Sequence, residues 1–546
     1  MEIDLHLHDA VVLTLEGDGV GTPARGLAIH DGRVLAVLDD GSLPPGITAR
    51  RRIGAGGATV VPGFGDAHNH MAWYGQTLAE IDLSTAHTLD EVYALVAARA
   101  AELPPDAFVV GSGYDDVVLG GSPHHTALDR AAGGRAVRLQ HRSGHVCAAS
   151  TEALRRAGIL GGGVAAPEGG KIVLDDEGAP TGVVEEAAQP LIADLMRPYA
   201  VDDVAAALGR ASQVYAAQGL TQVTECGIAA GFMGRTPREL AAYQLARERG
   251  VLAQRVVVMP VDAALHAVPG GDGVGLDLGM RTGFGDDRLR LGPMKIFFDG
   301  ALSSRTAAMG EPFDDRDHAG YYQDDPEHMH DMVVGAHLAG WTVAAHAIGD
   351  RAVAAALDAF ADAQARLPRP TVRHRIEHAG VVTDTELERF AALGVTPVPQ
   401  ARFLVEIGDS MVAAVGARAD LLYRHASFLR AGVRVPSSSD RPCVADGHPL
   451  RTMQAMVQRR SSSGRLIGAD ERVDPVTALR SLTVDTAWIA GDEDTRGSLA
   501  PGRYADLVVL GDDVTAIDPD RIGDTEVVAT MLEGGWTHGE SAMAHR

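Results

Sequence analysis

A chain of 546 residues that is 46% hydrophobic, 22% charged and only 5% aromatic has the composition of a large globular protein, not of a disordered or fibrous one. Its formal net charge of -25 excludes the basic surface that a nucleic-acid binder needs, and its three cysteines, Cys147, Cys226 and Cys443, are too few and too scattered for a disulfide framework. The first residues carry neither a basic nor an apolar leader, and no stretch is long enough to span a bilayer, so the expectation is a cytoplasmic protein acting on a small molecule, with no nucleic-acid or membrane partner. A homodimer is left open as the assembly.

From residue 3 to 61, short alternating apolar runs broken by Gly, Pro and Asp-Gly turns predict small antiparallel strands. Arg50, Arg51 and Arg52 in this region read as a solvated strand end. A buried strand is predicted over 60–66, running into Asp66-Ala67-His68-Asn69-His70. About 130 residues then pass before the next strand, too many for one βα unit, so the stretch from about 75 to 199 reads as an inserted subdomain placed over the barrel mouth, where it shapes the substrate pocket. Further strands are predicted over 221–225, 254–259, 290–298, 341–346, 373–378, 395–400 and 433–439, interleaved with helices over 203–218, 351–367, 384–393 and 475–490. Eight strands alternating with helices predict an α/β fold, a (β/α)8 TIM-type barrel over 59–490. Strand-like runs over 505–510 and 526–532 resemble the beginning of the chain, and a composite β-sandwich of 1–58 and 491–546 is expected beside the barrel.

The chemistry-bearing residues fall at the predicted strand ends. Residues i and i+2 of a strand face one side, so His68 and His70 can offer two imidazole nitrogens to one cation. A His-x-His pair alone is weak evidence: His124-His125 and His328-Met329-His330 also occur, and the latter pair reads as a solvated helix face. The position of the others gives weight to the first pair. Lys295 lies in the apolar run Met294 to Phe298, His346 ends Val343-Ala344-Ala345, His378 ends Arg375-Ile376-Glu377, and Asp440 follows Ser437-Ser438-Ser439. Active sites of barrels gather at the strand C-termini. Together these six residues predict a centre for one or two divalent ions, with zinc first and manganese or iron as alternatives. An ammonium has no lone pair to give a metal, so Lys295 is expected either to become a carbamate by reaction with carbon dioxide or to pair with Asp299.

The segments 62–70, 299–307, 346–352, 375–378 and 501–507 together resemble amidohydrolase family 3, the group of YtcJ-like proteins and N-substituted formamide deformylases, over essentially the whole chain. The resemblance implies the barrel, the two-ended sandwich and hydrolysis of C–N bonds, and it maps metal ligation onto His68, His70, Lys295, His346, His378 and Asp440. Asp440 is expected to act as general acid and base, and His145 to hold the oxyanion or the substrate. Two departures stand out: Ser150 follows Ser143-Gly144-His145 where an Asn is frequent, and Ser437-Ser438-Ser439 replaces a Gly-Ser pair before Asp440. A deaminase of amino-heterocycles on the same barrel is the rival reading, and a catalytically silent scaffold the next. Lys295 at the fourth strand argues against the first, and the complete ligand set against the second.

Overall fold

The computed structural model describes residues 1–141, 146–161, 164–167, 170–186, 188–229, 236–268, 270 and 273–543. The chain divides into two compact units, one of residues 1–74 and 208–546, the other of residues 75–207. Among the described residues no helix is long and apolar enough to cross a membrane.

The first unit is built around two parallel four-stranded sheets. One orders Leu289–Leu291, Arg255–Pro260, Leu220–Ile228 and Phe64–Asn69; the other orders Met294–Phe297, Val343–Ala347, Arg375–His378 and Thr396–Val398. Their strands are apolar and buried almost throughout, as in sheets with both faces covered. Amphipathic helices follow them: Asp350–Arg366 buries Val353, Leu357 and Phe360, and Asp384–Leu393 opens on a Thr383/Glu386 capping box and ends at left-handed Gly394. This is a TIM-barrel-like α/β fold. The sheets approach through a parallel bridge between Val261 and Lys295 on one side. The strand Phe64–Asn69 is also tied to the segment 437–440, Ala67 N donating to Ser437 O at 2.9 Å and Asp440 N to His68 O at 2.8 Å.

Three expectations are corrected. Residues 60–66 are not one strand: Thr59–Pro62 pairs antiparallel with Leu507–Leu510, and the strand that carries His68 begins only at Phe64. Gly63 makes the handover, since a Cβ there would lie 2.2 Å from Thr221 Oγ1. Residues 290–298 break at Gly292-Pro293 into two strands that belong to different sheets, because proline has no N–H to give a ladder. Residues 433–439 are extended but form no ladder, held instead by single hydrogen bonds such as Ser437 N to Ser481 O at 3.0 Å.

Both chain ends meet in a five-stranded sheet ordered Val11–Val12, Thr59–Pro62, Leu507–Leu510, Val527–Leu532 and Gly535–His538. A four-stranded sheet of Arg33–Leu38, Gly26–His30, Glu2–His8 and Thr48–Gly54 shares its core, in which Leu5, Leu27 and Val60 pack with Leu507, Val509 and Met531. Arg50 and Arg51 lie on the exposed strand Thr48–Gly54 and pair with Glu2, Asp4 and Glu540.

The second unit carries a six-stranded sheet ordered Gly170–Leu174, Pro180–Glu186, Val146–Ala149, Val137–His141, Val109–Tyr114 and Ile81–Asp82. Its own core contains Val92, Val96, Leu128, Val137 and Leu139.

Candidate metal centre

Six residues named from the sequence line one cavity: His68, His70, Lys295, His346, His378 and Asp440. His145 lies outside the described residues. His68 sits on strand Phe64–Asn69 and His70 just past it, Lys295 on Met294–Phe297, His346 on Val343–Ala347 and His378 at the end of Arg375–His378. The ring centroids of His68 lie 5.5 Å from His70 and 4.9 Å from His378, which is 4.4 Å from His346, so four imidazoles form one contiguous group. His328 and His330, by contrast, lie on the solvated face of helix Pro326–Leu338.

Each imidazole has a polar neighbour beside one ring nitrogen, and three of the four are hydrogen-bonded to it. His68 Nδ1 is bonded to Glu377, whose carboxylate also receives Arg375. Glu225 Oε1 stands 3.7 Å from His70 Nδ1, His378 Nδ1 donates to Gln400 Oε1 at 2.6 Å, and His346 Nε2 donates to Gly300 O at 3.0 Å. Such outer partners fix the tautomer and aim the remaining lone pair. Gln400 is itself held by Ser438 Oγ at 3.0 Å, so one of the serines that replaces the usual Gly-Ser pair has work in this network. Asp440 and His378 hold left-handed backbone, with φ of 58° and 71°. That costs about 1–3 kcal/mol per residue and persists where the surroundings over-determine it.

The residues fit a cation. Asp440 Oδ1 lies 3.3 Å from His68 Nε2 and 3.1 Å from His70 Nε2, so that one carboxylate oxygen and two imidazole nitrogens converge on one point, the disposition of ligand atoms around a shared ion. Lys295 is fully buried and its Nζ has no hydrogen-bond partner among the described residues. The expected alternative, a Lys295–Asp299 pair, is not formed: Asp299 accepts the backbone N–H of Ile348, Ala308 and Gly349 at 2.8–2.9 Å instead. Burial pushes the Lys295 ammonium down, against the pull of Glu377, Cys226 and Asp440. Burial likewise holds His346 near 3, with Lys295 adding to it, which leaves a neutral ring. Burial also disfavours charge on His70, but the carboxylates of Asp440 and Glu225 beside its ring outweigh it and lift its pKa to about 9. The carboxylates thus draw positive charge to the centre.

Glu225, Glu377 and Gln400 were not singled out from the sequence. A carboxylate inside an apolar strand costs several kcal/mol unless paired, and Glu225 and Glu377 both sit in such strands; that was the available signal.

The sequence profile of the amidohydrolase family matches residues 51–538. An N-substituted formamide deformylase of Arthrobacter pascens is 30% identical over 537 residues, spanning 94% of this chain and 92% of that protein. A metal-dependent hydrolase of Pyrococcus furiosus, solved by crystallography, superimposes with a TM-score of 0.77 at 25% identity, covering 94% of this chain and 99% of that one. A second, from Pyrococcus horikoshii OT3, has the same fold, with a TM-score of 0.78 at 23% identity over 95% and 99% of the two chains.

Proposed function

The chain belongs to the amidohydrolase family, and from that premise we propose that it is a metal-dependent hydrolase cleaving a C–N bond of a small molecule, in an amide, N-formyl or cyclic amide group. The observation that carries the reading is Asp440 Oδ1, set 3.1 and 3.3 Å from two imidazole nitrogens, beside a buried lysine whose Nζ has no hydrogen-bond partner among the described residues. The deformylase name of the Arthrobacter pascens relative supports the choice of bond. His68, His70, His346, His378 and Asp440 would hold the ion, with zinc favoured by the imidazole-rich donor set and manganese or iron as alternatives. When bound, a divalent cation supplies Lewis acidity and lowers the pKa of a water from about 15.7 to about 7. Asp440 accepts the proton of the attacking water and delivers it to the departing nitrogen, a transfer its place in the cavity lining allows. Glu377, Glu225 and Gln400 keep the imidazoles aimed while this happens.

Lys295 would join the ligand set as a carbamate: its neutral amine adds to carbon dioxide, the N–C bond forming as one C=O π bond opens and one proton leaves, and the two carboxylate oxygens so made would offer lone pairs where the ammonium has none. A buried lysine at this strand also weighs against the deaminase reading. The test is metal content against turnover. Protein stripped by a chelator should lose amide hydrolysis and regain it with zinc or manganese; full activity in verified metal-free protein would overturn the mechanism.

A further inference from the structure

A second cavity, of about 400 Å³, opens at the other end of the strands that carry the candidate ligands, and it is large enough for a small organic molecule. Pro293, Thr342 and Arg373 on its wall stand just before strands Met294–Phe297, Val343–Ala347 and Arg375–His378, whereas His346 and His378 lie at or next to the last residues of theirs. All of its lining belongs to the first unit. Four arginines converge on it, Arg290, Arg369, Arg373 and Arg375, in a chain whose net charge is -25. Three of them have carboxylate partners: Arg290 pairs with Asp492, Arg373 with Glu493 and Arg375 with Glu377. Asp494 adds an exposed carboxylate at the rim.

The inner wall offers donors. Arg375 and Thr224 line it, each only 2% exposed. Arg375 gives Nε and Nη2 to Glu377 and Ala67 O, so its Nη1 is a donor that makes no hydrogen bond among the described residues. The Thr224 hydroxyl, on strand Leu220–Ile228 of the other sheet, makes none there either. Arg369 donates only to the carbonyls of His337, Gly340 and Trp341, at 2.7–3.0 Å. Burial and the charge of Arg281 both push its pKa down, and a negative charge beside it would oppose both. A guanidinium has donors only, set in a planar fork that matches an oxyanion, whereas a cation entering this cavity would meet like charge.

We propose that this cavity binds a small oxyanion, the sulfate, phosphate or carboxylate head of an organic molecule, between Arg369, Arg375 and Thr224. The test is calorimetric titration of the metal-free full chain with sodium sulfate, phosphate and acetate, at neutral pH and fixed ionic strength. A single anion should bind per chain, with a Kd of about 1 mM or below. Tighter sulfate or phosphate names a tetrahedral head, and tighter acetate a carboxylate. Thr224→Val removes one donor with little change of shape, and Arg369→Gln removes one charge. Each variant should fold as the wild type does by circular dichroism and bind about tenfold more weakly or worse, the loss expected for a hydrogen bond to a charged group. Arg375 is kept, since without it Glu377 would be buried unpaired. His346→Ala, in the other cavity, should leave binding unchanged. Full affinity in both Thr224→Val and Arg369→Gln, loss of binding in His346→Ala, or no saturation by any of the three anions would overturn the proposal.

Discussion

Asp440 is the residue on which most of the chemistry rests, and its backbone limits how it can be probed. With φ at 58°, a substitution must tolerate the left-handed region, which asparagine does better than other residues. Asp440→Asn keeps the size and the conformation but cannot move a proton. It should fold normally by circular dichroism and lose about 10²–10⁴-fold in turnover; wild-type rates would remove Asp440 from the proton path. Glu377→Gln tests the outer partners. It leaves the buried Arg375 uncompensated, which costs about 3–5 kcal/mol in denaturant unfolding. It should also weaken metal binding about 10–100-fold in chelator competition, and unchanged affinity would show that Glu377 does not orient His68. The imidazoles, Lys295 and Asp440 were readable because they interrupt or close runs that read as buried strands, although Lys295 is second in Met294–Phe297 and 433–439 forms no strand. Glu225 and Glu377 were not, since Glu377, one place before His378, and Glu225, alone in an apolar strand, read as filler until burial shows what each would cost unpaired. Gln400 was still less visible, because its role depends on Ser438, 38 residues further along the chain.

Between elements, a buried histidine pair ties helix Pro326–Leu338 to the strand that carries His378. His374 Nδ1 accepts from Val343 N at 3.0 Å, its Nε2 meets His337 Nδ1 at 2.8 Å, and its ring stacks on Phe360 at 10°. Burial, reinforced by His337, pushes the His374 pKa down to about 3. An unfolded histidine titrates near 6.5, so on acidification the unfolded chain takes up this proton first. The pair's contribution is therefore complete above about pH 6.5 and is lost as pH falls toward 3, at up to about 1.4 kcal/mol per pH unit. Denaturant unfolding at pH 7, 6 and 5 should show a shallower loss of stability in His374→Gln than in the wild type; parallel lines would assign the acid sensitivity elsewhere. The strands next to this pair were legible from β-branched apolar runs, and the helices from their 3.6-residue spacing and caps. The misread elements have physical causes. Gly292-Pro293 interrupts a run whose hydrophobicity looks continuous, and 433–439 has strand-like composition but is held by isolated hydrogen bonds to side-chain and helix partners.

At the scale of the molecule, the first and last sixty or so residues depend on each other. Arg255, fully buried on a parallel strand, pairs with Asp506 and Glu533 at 2.8 Å, and Thr530 Oγ1 donates to Ala216 O at 2.7 Å. Deleting residues 1–55 or 498–546 should strip partners from Val60, Leu507 and Val509 and give insoluble protein, although every candidate ligand remains. A soluble, metal-binding chain lacking residues 1–55 would overturn this. The same pairing imposes an order on synthesis. Pro62 leaves the ribosome about 440 residues before its partner Leu507, which at ~5–20 residues per second is a delay of roughly 20–90 s. For that interval the edge of Thr59–Pro62, one residue upstream of the strand bearing His68, is open to any other chain being made nearby. Nascent protein should therefore need a holding chaperone until its C-terminus emerges, and ribosome stalling late in the message should cause more aggregation than stalling early.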